Sequence, residues 1–120
     1  MKPPGGRGHK YGAVKADCGH CPKPHPSKAE ARRCAELHLL EKAKVITHLV
    51  VQPQFWFEIN GVAVKHDNGR RVGYRPDWNY FEGDLNVVEE LKGFSAPDYA
   101  LRKAIFKALY PWFTFRETGK

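Results

Sequence analysis

In the first third of the chain, apolar residues recur at helical spacing only once. Between Ser27 and Ala43, Cys34, Leu37 and Leu40 share one arc of a 3.6-residue repeat, and Glu30, Arg33 and Glu41 fall in the same arc. Ser27 followed three residues later by Glu30 has capping-box spacing, so a helix is expected over about residues 28–43. The pattern then becomes strand-like. His48–Val51 and Phe55–Ile59 are rich in β-formers. Asn60-Gly61 is a hairpin turn signal leading into Val62–Lys65, and Asn68-Gly69 is a second one. Arg71–Tyr74, Asp77–Phe81 and Asn86–Lys92 read as further strands, the last two joined by a turn at Glu82-Gly83-Asp84. After a loop at Gly93–Ala96, Pro97 suits the first turn of a second helix reaching Leu109. Leu101, Ile105, Ala108 and Leu109 form its apolar face, and Arg102, Lys103 and Lys107 lie elsewhere on it. Pro111 ends that helix, and residues 112–116 read as a last strand. The order is helix, several strands, helix, strand, which predicts an α/β fold without internal repeats.

Composition narrows the picture. A chain of 120 residues fits one domain, taken as residues 13–120, and the Gly/Pro/basic stretch 1–12 has no apolar periodicity and reads as a mobile arm. Lys and Arg number 20 against 13 Asp and Glu, a formal charge of +7, which favours a phosphate-bearing partner through counterion release. Many small basic proteins are simply soluble cations, so charge alone does not choose. No apolar run approaches the ~18 residues of a membrane helix, and no secretory apolar segment follows Met1. Three cysteines, an odd number, fit a reducing compartment better than a disulfide framework, so a cytoplasmic setting is expected. Trp56, Trp78 and Trp112 sit among other aromatics and read as core. His38, His48 and His66 are isolated and read as surface or satisfied histidines.

The chemistry concentrates at Pro76-Asp77 and, about a dozen residues on, Glu90-Leu91-Lys92. Residues i and i+2 of a strand share a face, so Glu90 and Lys92 project together, beside Asp77 across a hairpin. Two carboxylates can hold a divalent cation, and a lysine can orient an attacking water. Glu89 adjoins Glu90, and a one-residue slip would exchange them; the acid-x-Lys spacing selects Glu90. Such tripeptides also occur on exposed hairpins without function. Here Val87 and Val88 lead the strand towards Glu90 and Lys92 at its end, Gly93 follows it, and a basic helix comes next.

This spacing is the signature of the PD-(D/E)xK nucleases, and a wider stretch resembles one small phage-encoded family of that superfamily. The resemblance runs over roughly Lys10 to Arg116. It is carried by SKAEARRCAELHLLEKAKVITHLVVQPQFWFEING, by YRPDWNY, by VVEELKGF and by LRKAIFKALYP. It implies a restriction-endonuclease-like αβββαβ core, in which a mixed central sheet is flanked by helices that frame a metal site. By position it implies Glu30 as the acid of the first helix, Asp77 as the second motif, Glu90 with Lys92 as the third, and a structural or supporting role for Gln52. The expected activity is then a metal-dependent endodeoxyribonuclease hydrolysing phosphodiester bonds. Glu30, Asp77, Glu90 and the Leu91 carbonyl would ligate Mg²⁺, for which Mn²⁺ can substitute. Lys92 would orient the nucleophile and stabilise the transition state, and Arg32, Arg33, Arg102, Lys103 and Lys107 would contact phosphates. By analogy with small stand-alone members, branched DNA of the Holliday-junction kind in a phage-infected host is the expected substrate. A homodimer is expected if two symmetric cuts are made.

Before the first helix the family has a short hairpin, where this chain has ADCGHCPKPHP. Cys18-x-x-Cys21 is the usual first half of a zinc knuckle. His25 and Cys34 are the leading candidates to complete it, with His9 and His20 behind them, and none makes a standard spacing. The ordinary reading is a proline-stiffened turn with free thiols. Two other functions therefore stay open: a non-catalytic DNA-binding or regulatory protein on the same fold, and a small zinc-stabilised interaction module.

Overall fold

The computed structural model describes residues 15–92 and 97–119; the expected basic arm and the 93–96 loop lie outside them. The chain divides into two compact units, residues 1–46 and 47–120.

The first unit is built around helix α1, Lys28–Lys42. Ser27 caps it as its spacing predicts: the hydroxyl accepts the backbone N–H of Glu30 at 3.1 Å. Glu30, Ala31, Cys34 and Leu37 are its buried residues, a spacing of one helical face. In front of α1, Ala16 and His25 exchange two backbone hydrogen bonds of 3.0 and 2.6 Å, so a minimal antiparallel bridge closes the expected proline-stiffened turn.

The second unit holds a mixed four-stranded sheet in the order β1-β6-β7-β8. Its strands are β1 (Thr47–Val51), β6 (Trp78–Glu82), β7 (Leu85–Lys92) and β8 (Thr114–Gly119). β1 and β7 both pair antiparallel with β6, and β8 pairs parallel with β7. Helix α2, Tyr99–Leu109, connects β7 to β8, the crossover that a parallel pair requires. Mixed α/β architecture is therefore present as expected.

Several boundaries differ from the sequence pattern, and the expected strands 62–65 and 71–74 shorten to 62–63 and 73–74. The expected strand 55–59 is split into β2 (Phe55–Trp56) and β3 (Glu58–Ile59), which join different two-stranded sheets. Phe57 between them is fully buried in the core, so the chain turns inward there. β3 pairs with β4 (Val62–Ala63) across Asn60-Gly61, whose φ angles of 53° and 77° are those of the expected tight turn. β2 pairs with β5 (Gly73–Tyr74), at a place where a Cβ on Gly73 would stand 2.3 Å from the Phe55 carbonyl oxygen. The last strand begins at Thr114 rather than Trp112 and runs on to Gly119. Residues 111–113 are held in a turn, with Phe113 N–H on the Tyr110 carbonyl at 3.3 Å.

Phe57, Tyr74, Val88 and Phe106 form the core under α2, surrounded by partly buried aromatics including Phe55 and Phe115. The other face of the sheet buries Trp78, Tyr80, Val87 and Glu89. Trp78 thus lies in the core as expected, whereas Trp56 and Trp112 are 42% and 66% exposed. Among the described residues no helix is long and apolar enough to cross a membrane.

Candidate functional site: a carboxylate row and a cysteine–histidine cluster

In the second unit, strand register brings the expected residues together. Trp78 faces Glu89 where the β6–β7 ladder ends, and Asp77, the residue before β6, reaches β7 with its side chain at Leu91, next to Glu90. Glu90 in turn pairs with Glu117 on β8. Cross-strand partners share a face, so Glu90 and Glu117 stand side by side, Lys92 follows Glu90 on that face, and Asp77 adds a third carboxylate to the row from the end of the β6 ladder.

The row is tied down residue by residue. Asp77 Oδ2 accepts the N–H of Leu91 at 2.8 Å, and the Asp77 carbonyl accepts the N–H of Gln52 at the same distance. Gln52 therefore braces the main chain at Asp77, from a left-handed conformation with φ of 53°. Tyr74 donates its hydroxyl to Glu90 Oε1 at 2.6 Å. Burial, then the hydrogen bond and charge of Glu90, with Asp77 adding to them, push the Tyr74 phenol far above its ordinary value. Glu117 accepts Tyr99 at 2.6 Å and Lys103 at 2.8 Å, and its other oxygen lies 3.9 Å from Lys92 Nζ. The bonds from Lys103 and Tyr99 hold its carboxyl below the usual range against a smaller effect of burial. Beside the row opens a cleft of about 540 Å³ whose lining includes Lys92, Lys103, Lys107, Tyr99 and Glu117.

Glu89 points the other way. It is fully buried and accepts the hydroxyls of Tyr80 and Thr118. Burial and the Glu89 carboxylate push Tyr80 up to about 12. Glu90, not Glu89, is thus the acid beside Asp77.

The expected phosphate contacts fall into two groups. Arg102 is engaged internally, with Nε on Asp98 at 2.7 Å and a guanidinium nitrogen on the Gly73 carbonyl at 2.6 Å. Arg33 bonds Glu36 at 3.1 Å. Lys103 is committed to Glu117, while Arg32 and Lys107 are exposed.

In the first unit, Cys18, Cys21, His25 and Cys34 converge, with their ligand atoms all within 4.8 Å of one another. Cys21 and Cys34 Sγ are 3.7 Å apart. A turn through Gly19, φ 87°, brings the backbone N–H of His20 to Cys18 Sγ at 3.4 Å. Burial opposes ionisation of Cys18, yet hydrogen bonding, that of His20 foremost, holds its thiol down at about 6, towards the thiolate that metals bind. Three sulfurs and one imidazole are the donor set of tetrahedral zinc. His25 offers Nε2, which is buried and has no hydrogen-bond partner. The cluster can therefore hold a metal ion such as zinc. His38 is not isolated: Nδ1 bonds the Cys34 carbonyl at 2.9 Å and its ring stacks on His20 at 4.5 Å.

Glu30, expected among the ligands of a catalytic cation, is bound within the first unit. Its carboxylate lies 3.1 Å from His25 Nδ1. Glu117, Tyr74 and Tyr99 are participants that sequence reasoning did not find. The one available signal for Glu117 was its alternation with Phe115, had the last strand been extended.

The family model described as "Protein of unknown function (DUF1064)" matches residues 8–117. No curated protein and no solved structure matches the chain.

Proposed function

This chain belongs to the DUF1064 family, and for this member we propose a Mg²⁺-dependent endodeoxyribonuclease that hydrolyses phosphodiester bonds. The observation that carries the proposal is the bond from the Leu91 N–H to Asp77, which sets that carboxylate beside Glu90 at the end of β7, with Lys92 on the face of Glu90. With β2 to β5 set apart in two small sheets, the helices and the strands of the main sheet follow in the order α1, β1, β6, β7, α2, β8 with one parallel pair at the β7–β8 edge, which supports a restriction-endonuclease-like αβββαβ core.

In this reading Asp77, Glu90 and the Leu91 carbonyl hold the cation, with Mn²⁺ able to replace Mg²⁺. The cation supplies a water of lowered pKa and charge neutralisation at the phosphate. Tyr74 orients Glu90, and Gln52 and the Leu91 N–H fix Asp77 on its two sides. Lys92 directs the nucleophile and meets the charge that grows on the phosphoryl oxygens. Lys107 and the lysines of the cleft give the backbone a positive path beside the acids. Branched DNA is the proposed substrate, the reducing interior of a cell the proposed setting, and a homodimer the assembly if both strands are cut symmetrically. The Cys18, Cys21, His25, Cys34 cluster is proposed as a structural zinc centre, separate in chemistry from the oxygen-rich row.

Cleavage of duplex, single-stranded and four-way-junction DNA, with Mg²⁺ and with chelator, tests this reading. Mg²⁺-dependent product on the junction is expected. DNA binding without product on any substrate would leave the non-catalytic binding protein instead.

A further inference from the structure

We infer that Glu30 is the outer carboxylate of the zinc centre, orienting His25 as a ligand. The inference rests on the zinc reading of the Cys18, Cys21, His25, Cys34 cluster.

The geometry is specific. An imidazole that binds a metal through one nitrogen donates the other N–H to a carboxylate or carbonyl, which fixes the tautomer and ring orientation and raises the basicity of the ligating nitrogen. His25 is arranged in this way. Its Nδ1 lies 3.1 Å from Glu30 Oε2, and its Nε2 is buried without a hydrogen-bond partner. Nε2 is therefore the nitrogen left for the metal, and Glu30 selects the tautomer in which its lone pair is free.

Both partners are built in. His25 is 3% exposed and its main chain is bridged to Ala16. Glu30 is 7% exposed, in the first turn of α1. One turn further on, the same helix carries Cys34, so α1 presents one ligand and the orienting partner of another from a single face. A carboxylate so nearly buried needs a partner of matching charge or a hydrogen-bond donor, and His25 is that donor. The acid inside the apolar arc of the first helix thereby has a reason for its position that does not depend on a catalytic cation.

The test uses the full chain and Zn²⁺ itself. Zinc content is measured by elemental analysis in wild type, Glu30→Gln and Glu30→Ala, and zinc affinity by competition with a chromophoric chelator. Both variants leave the cap intact, because Ser27 receives the main-chain N–H of Glu30. Circular dichroism of the zinc-saturated proteins checks that α1 persists. Wild type is expected to hold one zinc, and the variants to bind it about 10–100-fold more weakly, the usual loss when the outer partner of a ligand is removed. Co²⁺-substituted variants should keep the thiolate charge-transfer bands. The His25 Nδ1–H resonance, strongly shifted by a carboxylate acceptor in wild type, should move in both variants, a signature that a packing role for Glu30 would not produce. Zinc-free wild type would remove the zinc reading and this inference together. Wild type with one zinc, and variants of equal affinity, would overturn this inference alone. So would a Glu30→Gln protein of wild-type zinc affinity that needs far more Mg²⁺ for cleavage.

Discussion

The two units concentrate metal-binding chemistry in opposite ways. In the first, all four ligands lie between Cys18 and Cys34, so a turn and one helix turn suffice to bring them together. In the second, Asp77 just before β6, Glu90 on β7 and Glu117 on β8 are far apart in the chain and meet only through the sheet. The first is a soft, sulfur-rich set that can hold a metal such as zinc, and the second is an oxygen-rich set for which Mg²⁺ is the proposed ion. Locality has a thermodynamic counterpart. With zinc bound, a short segment with few buried apolar residues would lean on the ion for stability, whereas the carboxylate row rests on an aromatic core.

The sharpest way to break this comparison is to remove one acid. Glu90→Ala should lose Mg²⁺-dependent cleavage while keeping zinc content unchanged. In chelator it should bind DNA at least as tightly as wild type, because a negative charge beside the phosphate is gone. A wild-type cleavage rate in this variant would remove Glu90 from the site.

Next in size is the loss of zinc. Structural zinc contributes apparent free energies of about 10–16 kcal/mol in zinc-finger peptides, much of it as folding free energy. Cys34→Ala, or a strong chelator, should lower the melting temperature and strip hydrogen-exchange protection from α1 first. Protection in α1 equal to that of β7 after chelation would show that the cluster does not carry the stability of its unit.

A smaller effect separates two neighbours on α2. Arg102→Ala deletes bonds to Asp98 and to the Gly73 carbonyl. It should lower stability chiefly through loss of the part-buried bond to the Gly73 carbonyl, because the solvent-screened pair with Asp98 adds little. Lys107→Ala should leave stability within about 0.5 kcal/mol and flatten the log–log salt dependence of DNA binding by about one unit. The reverse assignment would mean that Arg102 faces DNA.

The smallest effect is one of pH. The Glu117 carboxyl is held below its ordinary 4.5, chiefly by Lys103 and then by Tyr99. Its stabilising contribution is therefore fully present above about pH 4.5 and is lost as pH falls through the lower folded value. Lys103→Ala should flatten the acid limb of the stability profile below pH 4.5, measured by urea unfolding at each pH. An unchanged limb would detach Lys103 from Glu117.

What could be read in the chain follows the same division between local and distant. Ser27 with Glu30, and Asn60-Gly61, are local signals, and both elements appear as expected. The spacing of Glu90 and Lys92 carries its own strand parity, so their shared face was legible. Glu117 was not, because its place beside Glu90 depends on a parallel pairing across a whole helix. The division of residues 55–59 was hidden because Phe57 is as good a strand former as its neighbours, and tertiary burial overrides that propensity. The cluster was half legible: Cys18-x-x-Cys21 announces a metal, but its completion depends on how helix and turn meet. Glu30 was assigned by motif position, whereas its five-residue separation from His25 carries no signal in a chain without known geometry.

The parallel pairing of β8 with β7 also has a consequence for synthesis. Glu117 follows Lys92 by 25 residues, so at 5–20 residues per second the ribosome delivers it roughly 1–5 s later. During that interval β7 can pair with β6 on one side while its other edge stays open, with unpaired backbone groups that a neighbouring chain could meet. On a polysome, where identical nascent chains lie close together, the arrival of β8 closes both the sheet and the opportunity for mispairing. Slow codons between the two strands would lengthen the exposure.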